Sequence, residues 1–273
     1  MVENYRDAIM SEAIAERPIT DPFLDQTTIK VMFSQPSCGL VDCIAVDNRL
    51  DFVMELARLE ARSKFKFFTG NVGRTGITYT RELFATEAIK NNMDYLFMVD
   101  DDMIIGHNSF ELLYNSMKKH NADIAAPICT QRFHPYRPVM YRHSWTTNPD
   151  GSKTIVNQFI EDYDPDSVVE CGNIGFGVVL MTVDILKKMK AAMPNGIFFS
   201  NTNMGEDLWA SLNAKELGAK IIVDTSIKAG HLCSPRIASE KDYVVSMGLQ
   251  EKFKDVYKLN GNNSENGPKH ENA

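Results

Sequence analysis

Apolar positions follow two rhythms along this chain. Thr28–Ser34 (TIKVMFS), the FKFF of 65–68, Asp94–Val99 (DYLFMV) and the ADIAAPI of 122–128 are short, β-branched or aromatic, and have the texture of buried strands. Between them the spacing turns helical. The LDFVMELARLEARS of 50–63 puts Leu50, Val53, Met54, Ala57 and Leu59 near one face. Thr78–Asn91 puts Leu83, Phe84, Ala88 and Ile89 on one face, and Ser109–Lys119 forms a third helical stretch. Strands that alternate with helices in this order predict an α/β fold with a mostly parallel sheet covered on its faces.

The second half has a different texture. Arg132 to His143 is rich in Arg, His, Pro and Tyr; an Asn-Pro-Asp-Gly turn follows at 148–151, and Thr154–Glu161 resumes as a strand. ECGNIGFGVVLMTVDILKKM (170–189) reads as a strand followed by a helix. Another helix opens at Gly205-Glu206-Asp207, continues through Leu208, Ala210, Leu212, Ala214 and Leu217, and stops at Gly218; the strand IIVDTSIKAG then leads to His231. With no internal repeat and no linker, one domain over 28–258 is expected, preceded by an extension over 1–27 and followed by a polar, disordered tail over 259–273.

Composition narrows the class. Hydrophobic residues are 44% and charged residues 24% of 273, so the chain can bury a large core and is neither disordered throughout nor a disulfide scaffold. Its net charge of −7 argues against a general nucleic-acid coat or a polybasic membrane binder. The five cysteines are scattered without a C-x-x-C pair, which fits reduced thiols. The start lacks the pattern of a signal peptide, and no apolar run is long enough to span a bilayer, so a cytoplasmic location is expected.

The candidate chemistry begins where the strand Asp94–Val99 stops at Asp100-Asp101-Asp102. Three adjacent carboxylates repel one another unless a cation or hydrogen bonds balance them. Beyond the carboxyl end of a strand they lie where open α/β sheets bind ligands, and hard oxygen ligands there suit Mg²⁺ or Mn²⁺ bridging to a phosphate; a polar turn is the plainer alternative. Glu206 and Asp207 complement a helix dipole, and a desolvated carboxylate there could also take a proton from a hydroxyl. His231 is either a structural residue or the neutral imidazole that completes an acidic metal site. The glycines at 70–76 and 172–177 allow close approach of backbone to a ligand but match neither a dinucleotide fingerprint nor a P-loop.

Taken in order, YLFMVDDDM, ECGNIGFGVVLM, MGEDLWASLNAKELGAKIIVD and AGHL resemble the GT-A glycosyltransferases, in particular the family-two type of nucleotide-sugar transferase, over roughly Thr28 to Leu232. The resemblance implies a Rossmann-like α/β/α sandwich, with a nucleotide-binding half over 28–105 and an acceptor and catalytic half over 106–258. It implies a nucleotide-diphosphate sugar as donor, a UDP-sugar first of all, and Mn²⁺ or Mg²⁺ as cofactor. Asp100 and Asp102 match the ends of the family's Asp-x-Asp motif, with Asp101 between them. That assigns Asp100, Asp102 and His231 to the metal, and Asp207 with Glu206 to catalysis, Asp207 as the base of an inverting transfer. Gln35, Pro36, Ser37, Gly70, Asn71, Arg81, Asp100 and Asp101 are implied as donor contacts. Gly175, Phe176, Gly177, Arg132, Tyr136 and Trp209 are the acceptor-side candidates. The acceptor is open between a glycan, a small molecule and modified DNA, the last suggested by Tyr136 and Tyr141 among basic residues. Soluble transferases of this kind point to a bacterial cytosol or that of a phage-infected host. Open alternatives are a retaining transferase, an aspartyl-phosphate phosphatase, a nucleotidyltransferase and a non-catalytic nucleotide-sugar-binding module.

Overall fold

The structure is a computed structural model that describes residues 28–37, 41, 43–73, 75–151, 153–194, 196–200, 204–233 and 236–257. The expected extension over 1–27 and tail over 259–273 lie outside the described residues.

Strands β1 (Ile29–Ser37), β2 (Phe65–Gly73), β3 (Tyr95–Val99), β5 (Ile124–Ile128), β10 (Val178–Thr182), β11 (Ile221–Cys233) and β12 (Arg236–Ala238) form the path of one large sheet in the order β12-β11-β5-β10-β3-β1-β2. Two further strands, β4 (Met103–Ile105) and β8 (Val168–Cys171), pair with β11 off this path. β1 is parallel to β2 and β3, and β5 is parallel to β11. β10 runs antiparallel between β3 and β5, and β11 takes β4, β8 and β12 antiparallel. The sheet is therefore mixed: its first half has the parallel order that strand–helix alternation predicts, and β10 reverses the direction at the centre.

Both faces of the sheet are covered, which is why β3 is apolar at every position. Phe97 and Val99 face one cluster, with Phe52, Leu56 and Leu59 from α1 (Cys43–Arg62) and Phe110, Leu113 and Met117 from α3 (Ser109–His120). Leu96 and Met98 face the other, with Phe84, Ala85 and Ala88 from α2 (Ile77–Lys90), Ile185 and Leu186 from α4 (Val183–Ala192) and Ala210 and Ala214 from α5 (Glu206–Glu216). The rings of Phe33, Phe52 and Phe97 meet at centroid distances of 5.6–5.8 Å. Two short helices, α6 (Glu240–Ser246) and α7 (Lys254–Tyr257), close the described chain.

One expectation is corrected. In α1 the buried face is Ala45, Arg49, Phe52, Leu56 and Leu59, whereas Leu50, Val53 and Met54 are exposed. Apolar residues ring this helix, so spacing alone admits two faces, and the tertiary contact of Phe52 with Phe33 and Phe97 selects between them. The Arg132–His143 stretch ends in β6 (Met140–Thr147), which pairs with β7 (Lys153–Phe159) around the 148–151 turn and with β9 (Asn173–Ile174) in a separate three-stranded sheet.

Candidate active site

The sheet topology converges on the carboxyl end of β3. Because Val178 of β10 registers against Val99, the preceding Gly175-Phe176-Gly177 lies beside the acidic turn, and the Asp100 amide donates to the Gly177 carbonyl at 2.8 Å. β4 then pairs with β11 so that Met103 opposes His231, and the Leu232 amide donates to the Asp102 carbonyl at 2.8 Å. This places His231 beside Asp102. The first turn of α5 brings Glu206 and Asp207, and Gly205 ahead of it is the cap residue. A cleft of about 190 Å³ results, lined among others by Arg81, Asp100, Thr130, Arg132, Gly175, Phe176, Gly177, Glu206, Asp207 and His231.

Arginines balance the carboxylates. Arg81, on α2 and only 3% exposed, donates through Nη2 to both Asp100 oxygens at 2.8 Å and to the Phe176 carbonyl at 3.2 Å, and through Nη1 to Glu206. It ties together the ends of α2, β3, the glycine segment and α5. Arg49, buried on α1, supports the acidic turn from beneath: its Nη2 donates to the carbonyls of Asp100 at 3.0 Å and Met103 at 3.4 Å. Burial lowers the Arg49 pKa to about 10 against the raising charges of Asp100, Asp101 and Asp102, which leaves it cationic at neutral pH.

Burial also raises the acids. It pushes the Asp100 carboxyl up to about 6 against the opposing pull of Arg81. It raises Asp207 as well, where Arg81 opposes the shift and Glu206 adds to it. Asp102 behaves in the opposite way: it is held below the ordinary carboxylate value against its burial, and the charge of Arg132 contributes to that.

His231 and Asp102 aim at one point. His231 Nδ1 lies 2.9 Å from the Thr130 carbonyl, which only accepts, so Nδ1 carries the hydrogen and Nε2 presents a lone pair. Nε2 is 3.4 Å from Asp102 Oδ2. The two ligand types and the fixed tautomer suit a hard divalent cation. The expected third ligand, Asp100, has both oxygens engaged by Arg81, and among the described residues no group of three or more His, Cys, Asp or Glu gathers for a metal. The structure thus brings together two of the three residues expected to hold a metal, Asp102 and His231.

The other predicted residues divide. Gly175, Phe176, Gly177 and Arg132 line the cleft, and Arg132 lies beside Asp102 and His231. Asp101 is buried next to the cleft without lining it. Gln35, Pro36 and Ser37 end β1 and register against Asn71, Val72 and Gly73, one step beyond Ser34 opposite Gly70; Gln35, Pro36, Ser37 and Gly70 do not line the cleft. Tyr136 sits in a turn at φ 61° and packs against the core, and Trp209 stacks edge-on with Phe199 at 5.4 Å; both lie away from the cleft lining. Sequence reasoning missed Arg49, Cys129, Thr130 and Val139. Cys129 lines the cleft, but burial pushes its thiol up to about 12, which rules it out as a thiolate nucleophile at neutral pH.

Among the described residues no helix is long and apolar enough to cross a membrane. No protein-family model matches the chain, and no curated protein matches it in sequence. Solved structures do resemble it. One is A197 from STIV, with a TM-score of 0.51 and 17% sequence identity over 78% of this chain and 92% of that one. At that identity the likeness establishes a shared α/β fold over most of the chain.

Proposed function

We propose that the protein is a glycosyltransferase that moves a sugar from a nucleotide-diphosphate sugar, a UDP-sugar in the first instance, to an acceptor hydroxyl with inversion. The observation that carries this reading is the meeting in one cleft of a desolvated carboxylate, Asp207, with His231, whose Nε2 lies 3.4 Å from Asp102 Oδ2.

Asp207 acts as the general base. Burial makes its carboxylate more basic than an ordinary aspartate, so when ionised it accepts the acceptor hydroxyl's proton more readily. The freed oxygen attacks the anomeric carbon, and the bond from that carbon to the diphosphate oxygen breaks with its electron pair. Asp102 and His231 would hold a divalent cation, Mn²⁺ or Mg²⁺, whose charge stabilises the departing diphosphate. Arg81 keeps the Asp207-bearing turn of α5 in register with the end of β3.

Engagement of both Asp100 oxygens by Arg81 argues against an aspartyl-phosphate phosphatase, which needs the first aspartate as a free nucleophile. Incubation with a panel of nucleotide sugars, with and without Mn²⁺, tests the proposal. Metal-dependent release of nucleoside diphosphate is the expected result. Nucleotide binding without turnover of any donor would reduce the protein to a binding module.

A further inference from the structure

Two acceptors that face each other across 3.4 Å, as His231 Nε2 and Asp102 Oδ2 do, repel unless a cation lies between them. In this protein the cation is a side chain. Arg132 donates through Nε to His231 Nε2 at 2.8 Å and through Nη2 to Asp102 Oδ2. The contact is direct on both sides, so the guanidinium fills the point on which the two lone pairs converge.

The two halves of this arrangement differ in how firmly they are held. Asp102 and His231 are fixed by the pairing of β4 with β11 and by the Leu232–Asp102 backbone bond. The Arg132 side chain is 49% exposed, beside a 79% exposed Phe133, on a segment closed by the Gln131–Arg137 backbone bond. It can swing into solvent without opening the core. Around it the cleft lining keeps unused donors: the hydroxyl of fully buried Thr130 and Nε of Arg81 are buried without a partner. The room left, about 190 Å³, is below the roughly 300–1,000 Å³ usual for small-molecule sites, as expected if a side chain occupies part of it.

We propose that Arg132 is a built-in counter-ion of the cation site, mutually exclusive there with a divalent metal. In the donor-free protein its guanidinium neutralises Asp102 and hydrogen-bonds His231. Arrival of metal and diphosphate displaces it, and the freed guanidinium then turns to the phosphate oxygens it had been kept from. The exchange keeps a cation beside Asp102 at each stage, so the acidic turn is never left uncompensated. The phosphate half of the proposal rests on the donor reading above; the competition with metal does not.

The test is Mn²⁺ binding to the full chain without donor, followed by calorimetry or by the resonance of free Mn²⁺. Arg132→Gln removes the competing charge and should bind Mn²⁺ about tenfold more tightly or better, since a unit charge a few ångströms from the metal is lost. Arg132→Lys restores the charge and should return affinity towards the parent value. Adding Asp102→Asn to Arg132→Gln should abolish the gain. Equal Mn²⁺ affinity in parent and Arg132→Gln, absence of binding in both, or a gain that survives Asp102→Asn would overturn the exchange. Donor turnover by the parent alongside equal affinities would sink the exchange and spare the transferase reading. A tighter Arg132→Gln with no turnover of any donor would do the reverse.

Discussion

Replacing Arg81 with methionine removes the cation from a buried cluster while keeping much of the side chain's apolar length. Arg81 is 3% exposed and bonds both oxygens of Asp100, a Glu206 oxygen and the Phe176 carbonyl, so the change leaves two carboxylates without their partner in a desolvated place. Breaking a buried ion pair from one side typically costs about 3–5 kcal/mol. At about 2–4 °C per kcal/mol for a domain of this size, melting should fall by about 6–20 °C near neutral pH. The pH dependence fixes the cause. The Asp100 pKa is already raised by burial to about 6 with Arg81 present, and it rises further without it. A raised acid stabilises the fold below its unfolded pKa and loses that contribution as pH rises through the folded value, so the penalty belongs to the ionised form. The gap in melting temperature should be widest above neutrality and should shrink as pH falls towards about 4. Differential scanning fluorimetry across that range measures it. A variant that melts within about 1 °C of the parent near pH 7.5, or a gap that does not change with pH, would refute the claim that Arg81 pins this cluster by charge.

Other outcomes follow from the same geometry. Asp207→Asn should lower kcat by about 10² to 10⁴ while donor Kd moves little, since the asparagine cannot take the proton; steady-state rates with calorimetric Kd check it, and Glu206→Gln serves as the control. Because Asp207 must be ionised to act and its pKa is raised, activity should climb with pH through an acidic limb lying above the ordinary aspartate value, and the Asp207→Asn variant should lack that limb. At Gly70 an added Cβ would meet Phe84 Cε1 at 2.7 Å against a buried ring, so Gly70→Ala should destabilise by about 1–3 kcal/mol in chemical denaturation, with no effect as the contrary result.

What was legible in the sequence is what depends on local pattern. An apolar run that stops at three aspartates identifies the central strand and the candidate site at its end, because a strand buried on both faces admits no polar residue until it emerges. Glu206 and Asp207 at a helix start, with Gly218 ending the turn after it at φ 85°, were legible for the same reason. What escaped depends on pairing between distant segments. Arg132 lies 30 residues after Asp102 and 99 before His231, and only the paths of β5, β4 and β11 bring the three together. The direction of β10 was equally hidden, since an apolar strand reads the same parallel or antiparallel. The face of α1 escaped because Leu50, Val53 and Met54 compete with Phe52 and Leu56 for the same helix, and burial by Phe33 and Phe97 decides.

A crystal structure of the protein soaked with a UDP-sugar and Mn²⁺ tests the central claim most directly. The account predicts the diphosphate and cation beside Asp102 and His231, Arg132 turned from them to the phosphates, and the anomeric carbon facing Asp207. A donor bound elsewhere on the molecule, or one in the cleft with its anomeric carbon directed away from Asp207, would contradict it.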